Sequence, residues 1–273
     1  MPELPEVETV VRGLREPLVG RTILDVWTDW PNTLRGMPVA DFAARAHGQA
    51  VRSIHRRAKY IVCTLDHDLL VVHLKMTGRL YVAENDAVVE ADRWVHFRAQ
   101  LDNGQQLRFS DARKFGFVKL APNLETLAPR LGVEPLEDGF TPAGFSLQLA
   151  RHRTAIKALL LDQSIVAGVG NIYADEALYL ARIHPLRPAN SLSEDEAAAL
   201  HAAIRAVLAE AIEREGASIS WYRKPDGSRG EAQRGFAVYG REGEPCLTCG
   251  TPIEKIRMAQ RGTHFCPNCQ RKS

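Results

Sequence analysis

Two C-x2-C pairs close the chain, Cys246-x2-Cys249 and Cys266-x2-Cys269, with sixteen residues between them. Each pair offers two sulfurs from one tight turn, and two such turns complete a tetrahedron, the pattern of a four-thiolate zinc site. No other feature constrains the fold so strongly, because the tail must form a hairpin around one ion. Two disulfides would use the same cysteines, but they need an oxidising compartment. The start of the chain is polar and acidic, with no cationic segment followed by an apolar one, so no secretory leader is expected. Four thiolates leave no open coordination position, so a single structural Zn2+ is expected to hold shape and do no chemistry. The pairs frame KIRMAQRGTHF, which places Arg257 and Arg261 on the metal-pinned hairpin. Cys63 stands alone in an apolar run and is expected to be a buried packing residue.

The 273 residues upstream of and including this tail suffice for one large domain or two ordinary ones. No apolar run reaches the ~18–20 residues of a membrane span, so no membrane partner and a cytoplasmic location are expected. Glu6 to Val19 reads as a helix: Val7, Val10, Val11, Leu14 and Leu18 share a face, Pro5 suits the first turn and Gly20 the stop. Short runs rich in β-branched and aromatic residues follow: TILDVWT, KYIVCTL, LLVVHLK, WVHFRAQL, QQLRF and FGFVKL. Asp102-Asn103-Gly104 is a hairpin signal, and so many strands without interleaved helices predict a sandwich or barrel. Pro122, Pro129, Pro135 and Pro142 space out a linker over 122–142. The period then becomes helical in TAIKALLLDQ, GNIYADEALYLARI and SEDEAAALHAAIRAVLAEAIERE, with Ser193 and Glu196 as a capping box. Residues 216–235 carry little apolar period and predict a long loop. The expected organisation is an α+β multidomain chain: a β domain led by a helix over 1–121, the linker, a helical domain over 143–235 that includes the loop, and the zinc-finger β-hairpin over 236–273.

Net charge is only +2, from 35 basic and 33 acidic residues, but the basic residues cluster. One group is Arg52, His55, Arg56, Arg57 and Lys59; another is Arg223, Lys224, Arg229 and Arg234; a third is Lys255, Arg257, Arg261, Arg271 and Lys272 against Glu254 alone. Such clusters can track a polyanion, although for any single cluster a solvated charged face is the simpler account.

The chain opens MPELPEVE. Methionine before proline is ordinarily removed, because proline is a small second residue, and removal would leave Pro2 as a terminal secondary amine. An α-amino group has a pKa near ~8, so a useful fraction is uncharged at neutral pH. Such an amine can attack a carbonyl-like carbon and form an iminium link with no N–H proton left to lose. Glu3 stands beside it to move protons, and Glu6 lies one helical turn on. The simpler account is that Pro2 and Pro5 start a helix whose positive end Glu3 and Glu6 favour.

PELPEVE, followed in order by RRAKYI, HLKMTGRL, DARKFG, GVGNIYADE, VYGREGEPC and QRGTHFCPNCQ, resembles the formamidopyrimidine-DNA glycosylase family, the bacterial oxidised-purine repair enzymes, over nearly the whole chain. The resemblance implies an N-terminal β-sandwich led by an α-helix, a helix-two-turn-helix domain and a zinc hairpin. It implies a monomer that acts on double-stranded DNA containing oxidised bases or abasic sites. Pro2 would attack C1′ of the damaged nucleotide and displace the base, with Glu3 as proton donor to the sugar, before elimination at the 3′ and then the 5′ phosphate. Glu6, Lys59, Lys157 and Arg261 are carried over to the same catalytic centre. A base inside a duplex must be extruded before its sugar carbon can be approached. Met76, Arg113 and Phe115 match the residues that fill the hole it leaves: a thioether and a ring can wedge into a stack, and a guanidinium can bond the widowed base. Lys59 would bind a phosphate beside the lesion, and Asn171 and Arg261 would hold backbone phosphate together, helped by the exposed N–H groups of a helix start. Tyr239 would contact the backbone.

The pattern also departs from the family. Asp92-Arg93-Trp94 stands where relatives often carry His-x-His, which puts phosphate contacts from that edge in doubt. DARKFG replaces DPRRFG, and Ser220 replaces a frequent Lys or Arg in the lesion-capping loop, so base preference is the least transferable property. Two rivals share the scaffold: an endonuclease VIII-like enzyme for oxidised pyrimidines, which usually begins PEGPE, and a non-catalytic damaged-DNA binder, against which Pro2 and Glu3 argue. A zinc-ribbon transcription module would leave the first 240 residues unexplained.

Overall fold

A computed structural model describes residues 1–126, 130–258 and 260–272. The chain divides into two compact units, Met1–Pro129 with Glu215–Glu231, and Arg130–Arg214 with Ala232–Ser273.

The first unit is led by helix α1 (Leu4–Leu18). It starts two residues earlier than the apolar period predicts, because Pro5 sits in the first turn, where its missing N–H costs nothing. The strands are β1 (Ile23–Trp27), β2 (Ser53–Arg57), β3 (Tyr60–Thr64), β4 (Leu69–His73), β5 (Gly78–Glu84), β6 (Val95–Leu101), β7 (Gln105–Asp111) and β8 (Phe117–Ala121). They form two antiparallel four-stranded sheets, ordered β1-β6-β7-β5 and β2-β3-β4-β8. One continuous core joins them: Ile61, Cys63, Leu70 and Val72 from one sheet, Phe97, Leu107 and Phe109 from the other, and Val7, Val10, Leu14 and Leu18 from α1. This is a sandwich with a helix against it. Cys63 is buried as expected, and burial pushes its thiol up to about 12. Helix α2 (Val39–Ala46) adds Phe42 to the same core. The strand β2 hides in the basic cluster; it is an edge strand, where charged side chains are tolerated and only Ile54 must point inward.

The second unit contains α3 (Pro142–Ala150), α4 (Ile156–Leu160), α5 (Asn171–Leu180), α6 (Glu194–Glu213) and the hairpin β9 (Glu254–Met258) with β10 (Arg261–Phe265). The Ser193–Glu196 capping box is present: Glu196 N–H donates to Ser193 Oγ at 3.2 Å, and Ser193 N–H to Glu196 Oε2 at 2.9 Å. Two outcomes differ from the sequence expectation. Pro142 opens α3 rather than ending a linker, because Thr141 Oγ1 accepts the Gly144 N–H and caps it. The TAIKALLLDQ helix is only the five residues of α4, because Asp162 bonds the backbone and hydroxyl of Ser164 and turns the chain away. Among the described residues no helix is long and apolar enough to cross a membrane.

Candidate functional site

In the first unit the start of α1 and the 215–231 segment are tied through one carboxylate. Glu6 Oε2 accepts the Glu3 N–H at 2.7 Å, and Glu6 Oε1 accepts the Ala217 N–H at 2.8 Å. Pro2, Glu3 and Glu6 are all buried. Gly216 has φ +77°, and a Cβ there would stand 3.0–3.1 Å from Glu6, so only glycine lets the segment pass so close to the carboxylate. Tyr222 lies buried behind, with its hydroxyl donating to the Glu215 carbonyl oxygen at 3.1 Å. Burial and then the Glu6 charge raise its pKa, so it stays a neutral phenol.

Met76, Arg113 and Phe115 meet at the surface of this unit. Arg113 Nη1 lies 3.2 Å from the Met76 sulfur, and the guanidinium sits 4.8 Å from the centre of the Phe115 ring. Met76 is 43% exposed and Phe115 50%, which excludes a core role for either. Asp111 builds the turn beneath them: Oδ1 accepts the Arg113 N–H and bonds the Thr77 hydroxyl, and Oδ2 accepts the Phe115 and Gly116 N–H groups at 2.9 and 2.7 Å. Lys114 turns aside over Trp30, 4.4 Å from the ring centre.

Lys59 is largely buried within the β2–β3 turn. Near it lies His73, which the sequence reading passed over although it heads the HLKMTGRL motif. Burial, reinforced by the charges of Lys75, Lys59 and Arg35, brings its pKa down to about 3. Lys75 N–H donates to His73 Nδ1 at 2.9 Å, which leaves the proton of the neutral ring on Nε2 as a donor. A neutral donor among three cations is suited to an anion.

In the second unit the predicted residues gather on strand β10. Asn171, at the start of α5, donates through Nδ2 to the Gly262 carbonyl oxygen at 3.0 Å. Lys157 is wholly buried, so it does not reach the surface. Its ammonium contacts Asp175 Oδ1 at 2.6 Å, Thr263 Oγ1 at 2.8 Å and the same Gly262 oxygen at 3.2 Å. Arg261 precedes Gly262 and is exposed. Tyr239 is held by its backbone N–H on Glu176 Oε1 at 2.7 Å, and its ring meets His264 edge-on at 5.0 Å.

The four cysteine sulfurs lie within 4.8 Å of one another, with Cys246–Cys269 at 3.9 Å and Cys249–Cys266 at 3.5 Å. A tetrahedron of Zn–S bonds near 2.3 Å has edges of about 3.8 Å, so the set fits one zinc ion. Backbone N–H groups of Thr248 and Cys269 point at Cys246 and Cys266 sulfurs, each at 3.4 Å, which steadies thiolates. Gln270 is buried and ties the knuckle to the helices, bonding the Cys266 N–H and the Ile183 carbonyl.

Residues 1–118 match the model of the formamidopyrimidine-DNA glycosylase N-terminal domain, 131–223 that of the H2TH domain of the same glycosylase, and 243–271 a zinc finger found in FPG and IleRS. A protein of Herpetosiphon aurantiacus called formamidopyrimidine-DNA glycosylase is 50% identical over 99% of this chain and all of its own length. Among solved structures, a Lactococcus lactis FPG mutant in complex with Fapy-dG-containing DNA has TM-score 0.92 at 38% identity, over 99% of this chain and all of that one. MutM in complex with DNA containing carbocyclic 8-oxo-G has TM-score 0.91, again at 38% identity over 99% of this chain and all of that one.

Proposed function

The chain belongs to the formamidopyrimidine-DNA glycosylase family, and from that premise we propose that it excises oxidised purines from duplex DNA and then cleaves the strand. The observation that carries this reading is the contact of Met76, Arg113 and Phe115 at the surface of the unit that also buries Pro2 and Glu3. Bent duplex DNA takes the thioether and ring between its bases while Arg113 bonds the base left alone. The damaged nucleotide swings out, and the 216–235 loop covers it.

Removal of Met1 frees the Pro2 nitrogen. Its lone pair forms a bond to C1′, the bond from C1′ to the base breaks, and the proton of the Pro2 N–H passes by way of water to the departing base. Glu3 gives its proton to O4′ as the sugar ring opens, and C1′ becomes an iminium carbon. The iminium draws electrons as solvent takes a proton from C2′, so the C3′–O bond breaks and the 3′ phosphate leaves; loss of the C4′ proton then breaks the C5′–O bond and expels the 5′ phosphate, and hydrolysis of the iminium returns Pro2. Glu6 holds the Glu3 backbone and the capping loop rather than the substrate. Lys59 and His73 receive the phosphate beside the lesion. Asn171 and Arg261 receive the next, Tyr239 lies along the backbone, and Lys157 acts by fixing the strand that bears Arg261. The zinc ion holds the hairpin and lies outside the chemistry. Met1–Pro129 with the capping segment Glu215–Glu231 makes up the catalytic unit, and Arg130–Arg214 with Ala232–Ser273 the helix-two-turn-helix and zinc hairpin. The protein acts as a monomer in the bacterial cytoplasm.

Duplexes with 8-oxoguanine opposite cytosine, and with an oxidised pyrimidine at the same place, test the assignment. Faster release of the purine, with a one-nucleotide gap flanked by phosphates, is expected. Preference for the pyrimidine, or binding with no release of either base, contradicts it.

A further inference from the structure

In the first unit a cavity of about 270 Å³ is lined by Thr77, Arg79, Trp94, Ser110, Trp221 and Arg223, among others. Two of these are indoles that meet edge to face, with ring centroids 5.6 Å apart and planes at 78°. They arrive on unlike supports. Trp94 ends the short 3-10 turn Glu90–Trp94, which is firmly pinned. The Asp92 carboxylate accepts from the Tyr81 hydroxyl at 2.7 Å, from Arg108 Nη1 at 2.9 Å and from the Val89 N–H at 2.8 Å. Ser110 Oγ donates to the Ala91 carbonyl oxygen at 2.6 Å. Arg108 is itself buried, with further bonds to Gln106 and to the carbonyls of Ala87, Glu84 and Asn85. The Arg93 guanidinium covers the Trp94 ring at 5.3 Å. The Asp-Arg-Trp tripeptide that departs from the family pattern is therefore a rigid bracket for one indole. Trp221 stands in the irregular 215–231 segment and is 44% exposed.

The rest of the lining is the Arg79 and Arg223 guanidinium groups, the hydroxyls of Thr77, Ser110 and Ser220, the Glu90 carboxylate and Ala112. The buried Nε of Arg79 has no hydrogen-bond partner among the described residues. Both guanidinium groups line this one cavity; burial, with Arg223 adding to it and Tyr81 and Glu90 opposing, holds the Arg79 pKa below its ordinary value. Two indoles beside two guanidinium groups suit a flat heterocycle that carries carbonyl oxygens: one ring stacks on it while the other meets its edge, and guanidinium N–H groups donate to its oxygens.

We propose that the Trp94–Trp221 contact latches the 215–231 segment over this cavity, and that the two tryptophans help select the carbonyl-bearing base the cavity receives. The selection rests on the glycosylase reading above; the latch does not.

Two experiments on the full chain test it. Trypsin acting on the free protein can cut the segment after Arg223 and Arg229, Lys224 being shielded by Pro225. Cleavage follows the population in which the segment is open. Trp94→Ala and Trp221→Ala are each expected to speed it about five- to tenfold, the loss of one edge-to-face contact, and Trp94→Phe to stay within about twofold of the natural protein. The double variant should be cut no faster than either single one, since the contact can be lost only once. Trp221→Ala removes only an exposed ring, so it decides the matter should Trp94→Ala fail to fold. Natural cleavage rates in Trp221→Ala, or effects that multiply, would overturn the latch. The second readout is the ratio of oxidised-purine release to strand cleavage at a preformed abasic site. Trp221→Ala is expected to lower that ratio about tenfold and Trp221→Phe to restore most of it; an unchanged ratio overturns the selective role. A natural protein that cuts abasic sites but releases no oxidised base defeats the glycosylase reading and the selective role with it, while the trypsin arm still decides the latch.

Discussion

Lys157 Nζ lies 2.6 Å from Asp175 Oδ1, and neither side chain is exposed to solvent. Taking one partner away strands the other charge in the interior. Lys157→Met is therefore expected to cost about 3–5 kcal/mol of stability. In the double variant Lys157→Met/Asp175→Asn the amide still accepts the His264 N–H that Asp175 holds at 3.0 Å, and much of the loss should be recovered. Urea denaturation of the three proteins decides this. A Lys157→Met variant as stable as the natural protein contradicts the buried pair.

Exposed residues cost little to remove unless they have work outside the fold. Arg113→Ala and Phe115→Ala are expected to change stability by no more than about 0.5 kcal/mol. Base release from a matched duplex should nevertheless fall about ten- to a hundredfold, because unstacking costs a few kcal/mol that the wedge offsets. The loss should shrink where the lesion is mispaired and already loose. Equal losses on matched and mispaired duplexes contradict the wedge.

His73 links stability to pH. Its folded pKa is depressed to about 3, against about 6.5 in the unfolded chain. Between those values the unfolded state binds the extra proton. Stability is thus whole above about pH 6.5 and falls as pH drops toward 3, by up to about 1.4 kcal/mol per unit. Urea unfolding between pH 7 and 5 should show a shallower slope for His73→Gln than for the natural chain; identical slopes contradict a buried neutral ring.

Zinc should be present at one ion per chain and should be structural. Its removal, or Cys249→Ser, is expected to loosen β9 and β10 and so displace Arg261, weakening DNA binding at least about tenfold. Fluorescence anisotropy with and without a chelator, followed by zinc restoration, measures this. Undiminished affinity in metal-free protein contradicts the role of the hairpin.

The features legible in the sequence were those that local chemistry dictates. Cysteine spacing places Cys246, Cys249, Cys266 and Cys269 together because each knuckle is one turn. Ser193 and Glu196 cap α6 because the bond spans three residues. What escaped was long-range or two-valued. Pro142 can break a chain or open a helix, and only the Thr141 cap resolves it. The packing of 215–231 with the first unit depends on Glu6, some two hundred residues away, bonding the Ala217 N–H. His73 went unnoticed because a histidine within an apolar strand ordinarily reads as core, and only the surrounding Lys59, Lys75 and Arg35 give it another meaning. Asp92-Arg93-Trp94 read as a missing phosphate contact; its place beneath Trp221 emerges only once β5, β7 and the 3-10 turn are assembled.

The chemistry turns on one nitrogen. Borohydride added to a reaction on 8-oxoguanine duplex should reduce the iminium and leave protein joined to DNA. Mass analysis of the trapped complex should place the sugar remnant on Pro2 of a chain that has lost Met1. Adduct on a lysine instead, or undiminished base release by protein that retains Met1, would contradict attack by Pro2.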